Sequence, residues 1–128
     1  MYKKCHPIRD REAYDLYLAQ NPSCMICGRS ANLSRHHIIG GTGRSDEPCN
    51  LIVACLLLCH LLAEGGIVKH NGKRFMPLSL GQMLSIKKAR SPLEWNAERL
   101  AELRGSALPD LEPIPEWVDA MYFGRMPR

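Results

Sequence analysis

Hydrophobic and polar residues in the first half of the chain follow patterns that predict a helix, two strands and a second helix. Residues 9–19 have the spacing of a short amphipathic helix, whereas residues 35–39 and 50–53 are short runs with β-branched residues, typical of strands. Residues 54–64 suit a largely buried helix that ends at Gly65. The predicted buried face of the first helix consists of Ala13, Leu16 and Tyr17.

The second half of the chain predicts a hairpin and two further helices. Residues 67–76 predict the hairpin, because they contain Asn-Gly, the preferred two-residue turn in which both residues take positive φ. Residues 79–90 begin with Ser-Leu-Gly-Gln, a capping box that predicts a helix. Residues 91–105 begin with Ser-Pro and predict another helix. Its predicted buried residues are Leu93, Ala97, Leu100, Ala101 and Leu103.

The last segment, residues 106–128, contains four of the nine prolines and predicts an extended tail. Within this tail, residues 117–122 have the spacing of one short helical turn that could dock on the core. A chain of 128 residues is long enough for one domain. We place that domain at residues 1–105, with its core at residues 24–66.

The charge of the chain is unevenly distributed. Lysine and arginine number 17 against 13 aspartate and glutamate, which gives a net charge of +4. Four acidic and two basic side chains lie in residues 106–128, so the positive excess belongs to residues 1–105 and favours a polyanionic partner. The start of the chain lacks the pattern of a signal peptide, and the longest apolar stretch, residues 51–63, is too short to span a membrane. We therefore expect a soluble cytoplasmic protein.

Four of the six cysteines form two pairs in the sequence, Cys24-x-x-Cys27 and Cys55-x-x-x-Cys59. In a reducing compartment such pairs favour metal binding over disulfides. Two thiolate pairs are what a tetrahedral Zn²⁺ site requires, and an i, i+4 pair on a helix shares one face. Two alternatives stay open: Cys55 and Cys59 are small core residues, or Cys49 replaces one of them as a ligand.

A second group of polar residues begins with His36-His37, an adjacent pair on the first predicted strand. Adjacent strand residues point to opposite faces, so one imidazole can bind a metal while the other faces elsewhere, unless a local twist aims both at one cleft. The pair is followed by a glycine-rich loop, by Asn50 and by His60. A lone histidine is more often an ordinary polar residue, but this combination is hard to assign to chance, and imidazole is a common metal ligand.

Three segments in this order, His36-His37-Ile38, then residues 46–51, then Cys59-His60, resemble the HNH endonuclease family in the zinc-stapled form of bacteria, phages and mobile elements. The resemblance implies an α+β fold with a ββα-metal (His-Me finger) core, preceded by a helix and followed by a hairpin and helices. It also implies a metal-dependent endonuclease that hydrolyses phosphodiester bonds of double-stranded DNA and leaves a 5′-phosphate. The setting it implies is a phage or a bacterial host cell.

The resemblance also assigns roles to individual residues. His36 and His60 would be ligands of a catalytic divalent cation, which could be Mg²⁺, Mn²⁺, Zn²⁺ or Ni²⁺. Glu64 stands where many family members have a third ligand, usually histidine. His37 would be the general base that takes a proton from the attacking water. Asn50 would fix the loop and orient the base.

One spacing departs from the family pattern. Ten residues lead from Asn50 to His60, one more than the family has, and one extra residue on a helix rotates a side chain by about 100°. Either the helix begins one residue later, or His60 misses the metal and the nuclease is degenerate.

DNA affinity should come mainly from contacts between basic side chains and phosphates. The candidates for these contacts are Arg35, Arg44, Lys69, Lys73, Arg74, Lys87 and Lys88. Two other functions stay open. One is a zinc-stabilised nucleic-acid-binding module without catalysis. The other is a subunit of a phage packaging or restriction assembly, or a homodimer, in which the aromatic residues of the tail contact a partner.

Overall fold

Residues 6–128 are described by a computed structural model, in which helices and two small antiparallel sheets form an α+β fold. The strands are β1 (Leu33–His37), β2 (Leu51–Cys55), β3 (Val68–His70) and β4 (Lys73–Phe75). The helices are α1 (Arg11–Gln20), α2 (Cys59–Ala63), α3 (Leu80–Arg90), α4 (Ala97–Arg104) and α5 (Glu116–Tyr122). Within the described residues, no helix is long and apolar enough to cross a membrane.

Strand β2 lies at the centre of the core, and every one of its residues is buried. It pairs antiparallel with β1, so that Leu33 lies opposite Cys55 and His37 lies opposite Leu51. Along its other edge, the carbonyl of Val53 accepts a hydrogen bond from the backbone N–H of Met25 at 2.9 Å. A strand that is covered on both faces is apolar at every position, which explains the unbroken hydrophobic run in the sequence.

The helix predicted over residues 54–64 is wrong in its first half. Cys55 ends β2, a turn covers residues 56–58, and α2 begins only at Cys59. The backbone N–H of Leu56 still donates to the carbonyl of Asn32 at 2.7 Å, which continues the pairing alongside β1 past the end of β2. A continuous apolar run does not reveal this break, because buried strands and buried helices have the same composition.

Helix α1 forms where it was predicted, but its buried face differs. Asp10 caps it by accepting a hydrogen bond from the backbone N–H of Ala13 at 3.0 Å. Tyr17 is buried as expected, but Tyr14 and Leu18 pack beside it while Leu16 is half-exposed. The core side of the helix therefore consists of Tyr14, Tyr17 and Leu18, one residue further along the chain than the predicted face.

The predicted hairpin and the helix after it are confirmed. Strands β3 and β4 pair antiparallel around Asn71 and Gly72, whose φ values are 50° and 76°. Both residues are in the left-handed region, which the Asn-Gly dipeptide favours. At the start of α3, Ser79 and Gln82 form the predicted capping box, each side chain accepting from the other residue's backbone N–H.

The next helix, α4, begins later than predicted. Asn96 is its cap and accepts from the backbone N–H of Arg99 at 3.0 Å, so residues 91–95 lie outside the helix. The backbone N–H of Ser91 donates to the carbonyl of Lys87 and ends α3, so this serine does not start a new helix. As a result Leu93 and Ala97, both predicted to be buried, are exposed, whereas Leu100, Ala101 and Leu103 are buried as predicted.

The C-terminal segment, predicted to be extended with one helical turn, contains α5. Val118 and Met121 of this helix belong to the same hydrophobic cluster as the side chains of β2. Asp119 pairs with the guanidinium of Arg90 at 2.9 Å, and the Arg128 side chain donates to the carbonyl of Cys27 at 2.7 Å. The end of the chain is therefore held against the first cysteine pair.

Lys87, predicted to contact phosphate, is completely buried, which contradicts that prediction. Its ammonium donates to the carbonyls of Pro48 and Leu51, each at 2.8 Å, and to the Glu94 carboxylate at 2.6 Å. The hydroxyl of Tyr17 lies 3.0 Å from the same nitrogen and donates to Glu94. A buried ammonium group needs such partners, because burial without them is costly. Lys87 thus ties α3 to α1 and to the backbone on either side of Asn50.

Candidate metal centre and histidine cleft

The four paired cysteines come together in the core. Cys24, Cys27, Cys55 and Cys59 are buried, and their sulfur atoms all lie within 4.8 Å of one another. The sulfurs of Cys27 and Cys55 are 3.7 Å apart, too far for a disulfide bond. A tetrahedron of sulfurs with Zn–S bonds of about 2.3 Å has edges of about 3.8 Å. The four thiol groups could therefore hold a structural metal ion such as zinc.

Local backbone geometry presents these sulfurs. The turn after Cys24 is closed by the N–H of Gly28, which donates to the carbonyl of Cys24 at 2.9 Å; Gly28 has a φ of +83°. The N–H of Cys27 points at the sulfur of Cys24 at 3.3 Å, and the N–H of Cys59 points at the sulfur of Cys55 at 3.5 Å. Amide donors stabilise thiolates. The second pair spans a strand, a turn and a helix, so it reaches the cluster without the helical i, i+4 spacing that was predicted.

Cys49 lies outside the cluster. It is buried in a separate environment, and burial raises the pKa of its thiol to about 11. Its sulfur is not among the four that lie within 4.8 Å of one another. The candidate ligand set in the structure is therefore Cys24, Cys27, Cys55 and Cys59, without Cys49.

The second group of ligands lies in a cleft at the surface. Ligand atoms of His36, His60 and Glu64 are all within 4.8 Å of one another. His36 comes from β1 and His60 from α2, and their rings meet edge to face with centroids 5.4 Å apart. Strand β1 and helix α2 both pack against β2, so His36 and His60 lie on elements that the core holds in place. Two imidazoles and a carboxylate form a donor set for a divalent cation.

Ser34 fixes the orientation of the His60 ring. The hydroxyl of Ser34 donates its only proton to the carbonyl of Ala54 at 2.9 Å. It must therefore accept from Nδ1–H of His60, which lies 2.5 Å away. Nε2 of His60 is left with a lone pair for a metal. This is the arrangement in which a second residue sets the tautomer of a histidine ligand.

That Nε2 atom lies 2.6 Å from a carboxylate oxygen of Glu64, one helical turn further on. This contact places a nitrogen and an oxygen that could bind the same metal ion next to each other. The Glu64 side chain is more than half exposed, so it borders solvent, whereas His36 is more buried. Burial lowers the pKa of His36 to about 4, so its imidazole is neutral at pH 7.

His37 lines the same cleft. Its Nε2 lies 2.8 Å from a carboxylate oxygen of Asp46, and its ring stacks on Tyr14 with centroids 5.4 Å apart and planes inclined by 6°. Burial lowers the pKa of His37, so its imidazole is also neutral at pH 7. The two adjacent histidines of β1 thus border one cleft, of about 380 Å³, but contact different neighbours.

Asn50 is buried beneath the glycine-rich loop, which forms one wall of the cleft. Its side-chain oxygen accepts from the N–H of Ile39 at 2.8 Å. Its amide donates to the carbonyls of Ile39 and Ser45 at 3.0 and 3.1 Å. Asn50 therefore ties Ile39, just before the glycine-rich loop, to Ser45 within it.

The remaining basic residues predicted to contact DNA lie in different parts of the structure. Arg35 and Arg44 line the histidine cleft, and the guanidinium of Arg35 lies 4.2 Å from the centre of the Tyr14 ring. Lys73 and Arg74 line a different cavity, of about 480 Å³, beside Trp117. Lys69 is an exposed residue of β3. Lys88 is an exposed residue of α3. Of the seven candidates, the structure therefore brings two, Arg35 and Arg44, to the histidines.

Three residues that contact the histidines of the cleft were not assigned a role from the sequence: Ser34, Asp46 and Tyr14. Asp46 is part of the segment that resembles the HNH family, so its place in the sequence could have marked it as a candidate site residue. Ser34 is two residues before His36 on β1 and therefore lies on the same face, which was a weaker signal. The contact between Tyr14 and His37 joins distant parts of the sequence and had no local signal.

Comparison with protein-family models, with curated proteins and with solved structures yields no match.

Proposed function

We propose that this protein is a metal-dependent DNA endonuclease of the HNH type, with β1, β2 and α2 as its ββα-metal core. The observation that carries the proposal is the convergence of His36, His60 and Glu64 on one open cleft that His37 also lines. Three ligands leave coordination positions free, as a catalytic site requires and a structural site does not.

His36, His60 and Glu64 would hold the divalent cation. When bound there, the cation would supply charge stabilisation for the phosphoryl transition state and the leaving oxygen. Nitrogen and oxygen ligands together suit Mn²⁺ and Mg²⁺, and imidazole also suits Zn²⁺ and Ni²⁺. The four-cysteine cluster would hold zinc separately and fix the position of α2 relative to β2 beneath the cleft.

His37 would act as general base. It is neutral at pH 7, lies next to a candidate ligand, and borders the cleft in which a phosphate could sit. Its ring is held by Asp46 and Tyr14, so it does not have to be ordered when substrate binds.

The positive charge of the cleft supports a nucleic-acid substrate. Arg35 and Arg44 lie on its rim, and the chain as a whole carries a net charge of +4. Phosphate contacts of this kind position a duplex without reading its sequence. We therefore propose double-stranded DNA as the substrate.

The additional residue between Asn50 and His60 is accommodated in the turn over residues 56–58. Leu56 and Leu57 are about half-exposed, so the turn bulges into solvent, and α2 begins after it. His60 consequently reaches His36, which supports an active site over a degenerate one.

The test is plasmid cleavage with Mg²⁺, with Mn²⁺ and with EDTA, using wild type and His37→Ala side by side. We expect nicking or linearisation that requires the metal and falls by about 100-fold or more in the variant, the usual range for loss of a general base. The matched control is His6→Ala, because the His6 side chain is exposed and lies outside the histidine cleft.

The zinc content of each protein should be measured on the same samples. If wild type holds one zinc ion per chain, binds duplex DNA and cuts under none of these conditions, the nuclease proposal is wrong. The non-catalytic binding module would then take its place. If cleavage survives His37→Ala, the protein is a nuclease but His37 is not its base.

A further inference from the structure

We propose that Asp46 is a positioning residue that holds His37 with its proton on Nε2, so that Nδ1 is the atom that accepts the proton of the attacking water. This inference rests on the proposed nuclease function and specifies which atom of the base acts and what orients it.

The hydrogen-bond pattern around Asp46 fixes its two oxygens. Oδ2 accepts from the backbone N–H of Asp10 at 2.9 Å, and Oδ1 lies 2.8 Å from Nε2 of His37. Partial burial acts to raise the pKa of Asp46, but the hydrogen bonds from His37 and Asp10 outweigh it, and the pKa lies below its usual value. An ionised carboxylate only accepts, so Nε2 must be the donor. Within residues 6–128, Nδ1 of His37 has no hydrogen-bond partner.

The loop that carries Asp46 is held on both sides, so the carboxylate is placed before substrate arrives. The N–H of Asp46 donates to the carbonyl of Ile8 at 2.7 Å, and the hydroxyl of Ser45 accepts from the N–H of Ile8 at 3.0 Å. On the other side, the guanidinium of Arg99 donates to both oxygens of Glu47 at 2.8 to 3.1 Å. Such contacts between the loop, the N-terminal segment and α4 are expected of an orienting group, which must itself be fixed.

The proton balance of the step follows from this arrangement. Nδ1 of His37 takes one proton from water, the resulting hydroxide oxygen forms a bond to phosphorus, and the bond from phosphorus to the 3′ oxygen breaks. The leaving 3′ oxygen takes a proton from solvent. The ring then carries a positive charge, which the Asp46 carboxylate 2.8 Å from Nε2 stabilises.

The Asp46→Asn substitution tests the role of the carboxylate with little change of shape. The amide oxygen must face the N–H of Asp10, which only an acceptor can satisfy, so the NH₂ group faces Nε2 of His37. Nε2 then accepts, the proton moves to Nδ1, and the base loses its free lone pair. We expect kcat to fall by about 100-fold or more, with KM changed by less than about threefold, because an incorrect histidine tautomer removes the base without removing substrate contacts.

The direct measurement is nitrogen NMR of ¹⁵N-histidine-labelled protein, loaded with zinc and Mg²⁺. The chain has five histidines, so the His37 resonances can be assigned by comparison with His37→Gln. We expect the Nε2–H tautomer in wild type and the Nδ1–H tautomer in Asp46→Asn. Asp110→Asn is the matched control, since Asp110 is exposed and lies outside the cleft, and it should leave both the tautomer and kcat unchanged.

A wild-type spectrum with the proton on Nδ1 of His37 would overturn the inference, as would an Asp46→Asn enzyme with wild-type kcat. The NMR result does not depend on cleavage. If wild type fails to cut DNA but shows Nε2–H held by Asp46, the nuclease proposal fails while the contact is upheld. If wild type cuts and the tautomer is the other one, only the role of Asp46 fails.

Discussion

Two ligand groups lie side by side on the same small scaffold, and they differ in nearly every physical property. The cysteine cluster uses sulfur atoms that are completely enclosed, whereas the histidine cleft uses nitrogen and oxygen atoms that border solvent. Cys59 and His60 are consecutive residues of α2, yet one points into the core and the other into the cleft. Two adjacent positions of one helix thus face an enclosed candidate site and an open one. Enclosed four-sulfur sites stabilise folds, and open sites with fewer protein ligands leave room for chemistry.

The largest effect should come from breaking the closed site. Cys55→Ser should abolish zinc binding and lower the free energy of unfolding by at least about 3 kcal/mol, because a structural metal contributes directly to folding. Zinc content by mass spectrometry and thermal unfolding would measure it. Cys49→Ser is the matched control, since Cys49 is buried but outside the cluster. Equal loss of zinc in both variants would refute the assigned ligand set.

Removing a candidate ligand from the open site should lower cleavage but leave zinc content and stability nearly unchanged. His36→Ala should lower cleavage by about 100-fold or more while zinc content stays at one ion per chain. The free energy of unfolding should change by no more than about 1 kcal/mol, because a part-exposed side chain at the cleft is lost without disturbing the sulfur cluster. If His36→Ala unfolded the protein as Cys55→Ser does, the distinction between a structural and a catalytic site would be lost.

Chelation should separate the two sites without mutation. Brief treatment with EDTA should stop cleavage and leave zinc in place, and added Mg²⁺ or Mn²⁺ should restore the activity. The cysteine cluster is sealed from solvent, so release of zinc should require a thiol-modifying reagent acting on the unfolded protein. Simultaneous loss of zinc and activity in EDTA, without recovery on adding Mg²⁺, would show that one metal serves both purposes.

The smallest effect concerns the loop that borders the open site. Burial acts to raise the pKa of Glu47, but hydrogen bonds from Arg99 and Ser45 outweigh it, and the pKa lies below its usual value. A carboxyl with a depressed pKa in the folded state stabilises the fold above its unfolded pKa and loses that contribution as pH falls. Between pH 6 and pH 3, wild type should therefore lose about 1 kcal/mol more stability than Glu47→Gln. Urea unfolding at several pH values would measure the difference, and parallel curves would contradict it.

The sequence predicted best those features that depend on neighbouring residues. The Asn-Gly turn, the Ser79–Gln82 capping box and the buried Tyr17 are all present. Each of these depends on contacts within a few residues or on strong local preferences for one backbone conformation. The residues that lie together in the two candidate sites could be picked out for a similar reason, because paired cysteines and an adjacent pair of histidines are visible in the sequence.

The features that the sequence did not predict depend on what is packed against each residue. Lys87 has the composition of a surface residue, yet it is buried because three carbonyl and carboxylate oxygens surround its ammonium. Leu93 suits a helix core, but the helix begins after it and leaves it exposed. Asp46 was visible in a motif, but its hydrogen bond to His37 exists only once the loop has folded over β1. Such outcomes are set by tertiary neighbours and not by local preference.

The burial of Lys87 gives the protein an internal reporter of its own opening. Lys88, the next residue, is exposed, so an amine-acylating reagent should label Lys88 at once. The amine of Lys87 should be labelled only when α3 moves away from α1 and the backbone around Asn50, since closed contacts shield it. The ratio of labelling at these two adjacent positions would therefore report the rate at which the layer beneath the histidine cleft opens in the intact protein.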